Sequence, residues 1–354
     1  MALYNIILEA LDNLLDFVRI IDRDGKSVYE NKAMQTFLLR LRERTDEAFP
    51  AFPTELFGKK VAREIAIDDR VFMSHLSPIE ARSGEVVAMI EVFHDVTHER
   101  KMVKDLYEHM RMRVDDIAFA RRIQMSLLPT RQIFPGLHFA MRYSSSEDLS
   151  GDIFDFFELY DGRTVFYIAD VMGKGVAASM MTLFIRQRVR SIFSDTEDLT
   201  EAVETLRTSF ARMKLGAEHY FTIFIGIYDP EKHEITYVNA GHNAPPVHLN
   251  ARGSDFLISP GFPVSEVFTE EPYEAYRMKV EPGDRLVFYT DGILEARRGD
   301  EEFGMERLRK ELDRTTDPDV LADRVLGRVE NFLQGRKRDD IAIFVMDVVK
   351  EESH

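Results

Sequence analysis

The stretch Phe166-Tyr167-Ile168-Ala169-Asp170-Val171-Met172-Gly173-Lys174-Gly175 organises the reading of the whole chain. Residues of strand character run into an aspartate. A turn with two glycines follows, and a long helical pattern begins after it. A carboxylate at the end of a buried strand costs free energy unless a partner meets it. The chain has no cysteine, so a hard divalent cation, which takes oxygen ligands, is a fitting partner. Alone, the stretch also reads as an ordinary turn, because Asp and Gly are common at strand ends.

Three further strings have the same form. They are Leu149-Ser150-Gly151-Asp152-Ile153-Phe154-Asp155, Phe288-Tyr289-Thr290-Asp291-Gly292-Ile293 and Lys337-Arg338-Asp339-Asp340-Ile341-Ala342. Each sets a carboxylate at the edge of an apolar strand, beside a turn former. One such end is noise, whereas four imply carboxylates converging on one rim. Like charges that close repel, so protons or cations must intervene. Without thiolates, Mg²⁺ or Mn²⁺ suits the site.

The pattern around these strings predicts strands at His138 to Tyr143, Phe154 to Tyr160 and Thr164 to Asp170. Helices follow at Val176 to Phe193 and Leu199 to Lys214. Further strands are expected at Thr222 to Tyr228, Glu234 to Asn239, Pro245 to Asn250, Phe256 to Ser259, Glu274 to Val280 and Arg285 to Thr290. Helices at Met305 to Leu312 and Asp319 to Phe332 precede a buried closing strand, Ile341 to Val348. Strands bracketing paired helices indicate an α+β class with mostly antiparallel sheets.

The four strings, in this order and spacing, resemble the metal-dependent protein phosphatases of the PPM (type 2C) superfamily. The nearer likeness is to the bacterial stage II sporulation protein E branch, which regulates sigma factors and stress responses. Asn239-Ala240-Gly241-His242-Asn243, Gly261-Phe262-Pro263 and the helix ending Ala120-Arg121-Arg122-Ile123-Gln124-Met125-Ser126-Leu127-Leu128-Pro129 support it. The resemblance covers Ala120 to Val348 and implies a β-sandwich flanked by helices over residues 129–350. It implies two Mn²⁺ or Mg²⁺ ions, bridged by Asp170. Val171, through its carbonyl, and Asp152 would serve the second ion, and Asp291 and Asp339 the first. Asp155 and Asp340 would stand behind these ligands or be optional. The implied chemistry is hydrolysis of a phosphoserine or phosphothreonine by an activated water, with no covalent phosphoenzyme. The implied partner is a phosphorylated anti-sigma-factor antagonist with a STAS domain. Ser150 departs from the branch, which usually has a second glycine there, and no arginine before the first strand can be assigned to phosphate. His242 as an acid and Lys174 as a phosphate contact are weaker readings than a structural turn histidine and a solvated lysine.

Before this half, residues 1–97 read as a small α/β domain. A helix at Ile6 to Leu15 precedes the strand Phe17 to Asp22. The turn Asp22-Arg23-Asp24-Gly25 and the strand Lys26 to Glu30 follow. Asn31 is placed to cap a helix from Lys32 to Arg44. Strands are expected at Val71 to Leu76, continuing or restarting at Ser77 to Glu80, and at Glu85 to His94. The segment closes on Asp95-Val96-Thr97. This order resembles a PAS sensory domain, in which the final Asp-x-Thr ties the last strand to an output helix. His75 and His94 are possible haem ligands but read more naturally as ordinary histidines, and Phe72 and Phe93 as core. Residues 98–128 read as a linker helix with heptad rows Val103, Met110, Ile117, Gln124 and Leu106, Arg113, Ala120, Leu127. That pattern suits a coiled coil pairing two copies, or a helix packed on its own domain.

Composition narrows the classes. The 354 residues carry a formal net charge of −16. Such acidity argues against nucleic acid and anionic membrane as partners. The absence of cysteine excludes disulfides, thiolate metal sites and a cysteine-adduct flavin sensor. The start lacks signal-peptide character, and no run approaches about 18 apolar residues, so a cytoplasmic protein is expected. Two other functions compete. A nucleotide cyclase behind a PAS-like domain would need an acidic residue where Ile153 stands. A binding protein on an inactive phosphatase fold would not need the full aspartate set.

Overall fold

The computed structural model describes residues 2–44, 49–146, 148–335 and 339–350. Lys337 and Arg338 of the fourth aspartate string lie outside the described residues. The chain divides into two compact units, one up to Arg113 and one from Val114.

The first unit runs α1 (Ala2–Asp12), β1 (Phe17–Ile21), β2 (Ser27–Glu30), α2 (Lys32–Arg44), β3 (Val61–Ile67), β4 (Arg70–Glu80) and β5 (Val86–Asp95). Its five strands form one antiparallel sheet in the order β2-β1-β5-β4-β3. Asn31 caps α2 as its position suggests: its Oδ1 accepts Met34 N at 3.0 Å and also Val18 N at 3.1 Å, tying helix to strand. β3 is not expected from the sequence, because Arg63 stands at a core-facing position and breaks the alternation that marks a strand. His75 is exposed on β4, and exposed His94 pairs with Asp16 at 2.8 Å. Neither faces an enclosed cofactor site, while Phe72 and Phe93 fill the core. At the end of β5, Thr97 Oγ1 donates to Asp95 Oδ1 at 2.5 Å and accepts Val71 N at 2.9 Å. Helix α3 (Thr97–Leu127) follows and crosses the division between the units.

The second unit continues with β6 (Ile133–Phe134), β7 (Leu137–Ser144), β8 (Asp152–Glu158), β9 (Thr164–Val171), α4 (Val176–Ile192), α5 (Leu199–Ala211), β10 (Tyr220–Asp229), β11 (Glu234–Ala240), β12 (Val247–Asn250), β13 (Gly253–Phe256), β14 (Val264–Ser265) and β15 (Ala275–Lys279). It ends with β16 (Arg285–Tyr289), α6 (Asp291–Leu294), β17 (Arg297–Arg298), β18 (Glu301–Glu302), α7 (Gly304–Glu311), α8 (Pro318–Leu333) and β19 (Ile341–Val348). One sheet has the order β15-β11-β10-β9-β8, with β14 beside β10. The other has the order β13-β12-β16-β19-β7-β6. Their inner faces meet over Phe139, Phe154, Phe156, Phe166, Phe288 and Phe344. Helices α4 and α5 pack on the outer face of the first sheet, and α7 and α8 on that of the second. Each sheet is therefore covered on both sides, which is why β9 and β19 read as continuous apolar runs rather than alternating ones.

The helices start where local chemistry dictates. Asp198 caps α5 by accepting Glu201 N at 2.9 Å. Asp317 and Pro318 open α8, with the Asp317 carboxylate accepting Asp319 N and Val320 N. Two sequence expectations are corrected. The strand placed at Phe256 to Ser259 lies earlier, because Asn250 Oδ1 accepts the amides of Arg252 and Gly253 and tightens the hairpin. Asp291 stands at the first position of the short helix α6, rather than at a bare strand end. The two-sheet sandwich also removes the cyclase reading. Among the described residues, no helix is long and apolar enough to cross a membrane.

Candidate active site

The site begins with a register. Asp152, first residue of β8, stands directly opposite Asp170 on the antiparallel strand β9. Directly opposed side chains share a face, with Cβ atoms about 5 Å apart. The loop before Asp152 can come this close to β9 because residue 151 is glycine. A Cβ there would lie 2.9 Å from the Val171 carbonyl oxygen. Val171 N in turn donates to Gly151 O at 3.1 Å. Thus the first two aspartate strings interlock through backbone.

The other two strings interlock in the same way. A Cβ on Gly292 would lie 1.9 Å from Asp340 O and 3.4 Å from Asp339 Cβ. The turn that presents Asp291 therefore rests on the segment that presents Asp339. Asp340 joins the pairs. Its Oδ2 accepts Gly151 N at 3.0 Å, and its Oδ1 accepts the amide and hydroxyl of Ser146 at 2.6 and 2.8 Å.

The crowding has an electrostatic consequence for each group. Burial, then the Asp170 charge, raises the Asp152 carboxyl well above the usual carboxylate range. Burial, then Asp291 and Asp339, raises Asp170 to about 7. Burial also raises Asp291, although Asn243 Nδ2 donates to its Oδ2 at 3.1 Å and opposes the shift. Lys174 Nζ lies 3.0 Å from Asp339 Oδ1. Among the described residues, no three carboxylate or imidazole groups stand close enough to form a ready cage as the side chains lie. The donors nonetheless fit a hard cation. They are all oxygens, and Asp152 Oδ2 is buried with no hydrogen-bond partner. Among the described residues no cation pairs with Asp152 or Asp170, so a second charge on that pair calls for a counter-charge, and a hard cation is one that suits oxygen donors.

Several residues belong elsewhere. Asp155 does not stand behind the site. Strand side chains alternate, so Asp155 faces opposite to Asp152. It is fully buried against α4, bonded to Arg190 at 2.6 and 2.9 Å and 3.4 Å from Arg186. His242 is structural. Its Nε2 contacts Tyr289 O at 3.0 Å, and burial lowers its pKa to about 4, so it is neutral at physiological pH. Asn239 Nδ2 donates to Ser259 O at 2.8 Å, which draws the loop at 239–243 toward the 261–263 segment. Ser150 closes its loop well enough without a second glycine: its Oγ accepts Asp152 N at 3.0 Å. Arg142, the arginine of β7, is bound to Asp319 and Asp323 and is turned to α8.

Two contributors lie in strings quoted above, with no role at the site expected of them. Asn243 steadies Asp291, and Gln124 grips the loop of Asp152. Gln124 Nε2 donates to Ser150 O at 2.7 Å and to Thr182 Oγ1 on α4 at 3.2 Å, while its Oε1 accepts Ser150 N at 3.1 Å. The heptad pattern set Gln124 in a seam, yet it is buried in its own unit.

Comparison with known proteins agrees with this fold. The SiaA-PP2C domain of Pseudomonas aeruginosa superposes with a TM-score of 0.60 at 17% identity, covering 69% of this chain and 98% of that one. The PP2C phosphatase domain of SpoIIE from Bacillus subtilis, with a fragment of its regulatory domain, gives 0.54 at 15% identity and covers 98% and 88%. Among curated relatives, Protein IcfG of Synechocystis sp. is 24% identical over 64% of this chain, and phosphoserine phosphatase RsbP of Bacillus subtilis 27% identical over 51%. The chain spans 40% and 45% of the lengths of those two relatives. The stage II sporulation protein E family matches residues 160–349, more than half of the chain and the segment holding Asp170, Asp291 and Asp339. With that match and a PP2C-type phosphatase fold around interlocked aspartate strings, the chain belongs to the stage II sporulation protein E family.

Proposed function

We propose that the second unit is a metal-dependent protein serine/threonine phosphatase, a hydrolase acting on a phosphorylated regulatory protein. The observation that carries this is the Asp152–Asp170 pair, opposed across β8 and β9 and crowded by Asp291 and Asp339. Asp152, Asp170, the Val171 carbonyl, Asp291 and Asp339 would hold two Mg²⁺ or Mn²⁺ ions. Bound there, such ions supply a water acidified toward neutrality and offset phosphoryl charge. The protein's part is positional. Asp340 fixes the loop of Asp152, Asn243 orients Asp291, and Lys174 offsets charge on Asp339. We assign His242 a structural role rather than that of proton donor; burial lowers its pKa to about 4 and its Nε2 is engaged with the Tyr289 carbonyl, which supports this reading.

The substrate we infer is a phosphoserine or phosphothreonine on a STAS-domain anti-sigma-factor antagonist. The match to a relative named phosphoserine phosphatase supports the phosphoserine part. The first unit is read as a PAS-like sensor, supported by its five-stranded sheet and the Asp95–Thr97 junction. Helix α3 is read as the link that pairs two copies and carries the signal. A second reading, a phosphoprotein-binding fold without turnover, draws support from the ion pair of Lys174 with Asp339. p-Nitrophenyl phosphate with Mn²⁺ separates them. The phosphatase reading expects hydrolysis that Asp170→Asn abolishes. No turnover of this compound or of a phosphorylated STAS-domain protein, in either metal, would leave only the binding reading.

A further inference from the structure

The turn between β9 and α4 carries a lysine to the rim of the aspartate site. Lys174 stands between Gly173 and Gly175, and both glycines take left-handed backbone, at φ 98° and 78°. A side chain at either position would strain that turn. The turn is also packed against the loop of Asp152, because a Cβ on Gly151 would lie 3.2 Å from Gly173 O. The backbone that carries Lys174 is thereby held in place by its neighbours.

From sequence, Lys174 is expected to be a solvated lysine. In the folded chain its Nζ lies 3.0 Å from Asp339 Oδ1, on a segment far along the chain. Asp339 in turn packs on the turn that presents Asp291, since a Cβ on Gly292 would lie 3.4 Å from Asp339 Cβ. The ammonium thus sits on one of the two carboxylates read as ligands of the first ion. A divalent ion on Asp339 would repel it at that distance. The Lys174 and Asp339 side chains are 37% and 47% exposed, so their pair is weak and can yield to such an ion.

Displaced from Asp339, the ammonium stays at the same rim on its four-carbon stem. The anion that a two-ion site brings to that rim is a phosphoryl group. Strand β7 supplies no arginine for it, because Arg142 is bound to Asp319 and Asp323. Lysine suits the task as a compact point charge with rotatable donors. We propose that Lys174 is a phosphate-binding residue gated by metal: it rests on Asp339 in the metal-free chain, yields that carboxylate to the first ion, and then donates to a phosphoryl oxygen of the substrate. This role rests on the phosphatase reading and adds to it a phosphate contact and an order of events, metal before phosphate.

Calorimetric titration of the full chain tests both stations of the lysine. Mn²⁺ is titrated into wild type and Lys174→Met, and inorganic phosphate into each protein in saturating Mg²⁺ or in chelator. Lys174→Met is expected to bind Mn²⁺ about threefold or more tightly, because a competing positive charge is gone. In Mg²⁺ it should bind phosphate about tenfold more weakly than wild type, the loss of one charged hydrogen bond. In chelator the two proteins should bind phosphate equally weakly. The proposal is overturned if Lys174→Met leaves Mn²⁺ affinity unchanged or lowers it, if wild type in Mg²⁺ binds no phosphate, if the variant binds it as well as wild type does, or if the difference persists in chelator. Lys174→Gln repeats the test should Lys174→Met lose the wild-type circular dichroism spectrum. If wild type binds no Mn²⁺, the two-ion reading falls together with this role. If it binds Mn²⁺ and the variant matches it in every titration, only the role of Lys174 falls.

Discussion

Asp170 is the residue on which the charge of the site converges, and its behaviour is testable in both protonation and catalysis. Between about pH 4, the ordinary aspartate range, and about 7, the folded metal-free chain holds protons that the unfolded chain has released. Stability should therefore fall as pH rises through this window, on the order of a few kcal/mol in total, and the raised Asp152 carboxyl should add to the fall. Thermal unfolding in a chelator at pH 5 to 8 checks this. Added Mn²⁺ should raise the midpoint more at pH 8 than at pH 5, since protons compete for the same oxygens. A metal-free midpoint that rises with pH would contradict the crowding. Asp170→Asn should make the metal-free protein more stable at pH 8 and lower p-nitrophenyl phosphate turnover by roughly 100-fold or more, as several kcal/mol of charge stabilisation is lost. At this scale the sequence was informative where residue type and turn chemistry coincide, as at Asp152, Asp170 and Asp291. Asp155 is expected from sequence to stand behind the ligands or be optional, because it shares a string with Asp152. Its odd spacing from Asp152 already places it on the opposite face of β8, and the arginines that claim it lie on a helix that spacing alone could not position.

At the scale of elements, the strings are joined by close backbone approach, and that is where substitutions should be costly. Gly292→Ala would put a methyl group against the Asp340 carbonyl, where neither partner is the flexible end of a side chain. A loss of about 3 kcal/mol or more is expected from urea unfolding, at the upper end for overpacking. A neutral result would mean that α6 and the start of β19 can separate freely. Gln124 couples α3 to the loop of Asp152. Gln124→Ala should cost about 1–3 kcal/mol, because it strands the buried amide and carbonyl of Ser150. It should also weaken the apparent Mn²⁺ affinity measured by activity titration, and an unchanged affinity would show that the loop holds its place unaided. The heptad reading located Gln124 on the correct stripe of a helix, yet periodicity does not say what covers a stripe. For the same reason β3 was missed: Arg63 faces inward because Glu91, far along the chain, meets it there. Residues whose partners are distant in sequence carry no local mark.

At the scale of the molecule, α3 presents two different surfaces along one seam. Val103, Leu106 and Met110 are 45%, 60% and 56% exposed. Further along, Ile117 and Ala120 are half-buried and Gln124 is buried against the second unit. Thus the first half of the seam is open within its own unit, while the last part is already occupied in the second. Leaving three half-exposed apolar side chains in water forgoes roughly half of the about 1.5–3 kcal/mol that full burial of each would give. A second copy of the same helix would cover them in matching register, with Arg113 marking the point where pairing gives way to docking. Light scattering of the full chain at micromolar concentration should then give the mass of a dimer. Leu106→Glu with Met110→Glu should give a monomer, because like charges would face each other across the pair. The docked end of α3 should survive in that monomer, so its melting midpoint should change little, whereas a coiled coil zipped through Gln124 would lose both pairing and docking at once. A monomeric wild-type chain would remove the pairing role and leave α3 as a helix that serves only its own units.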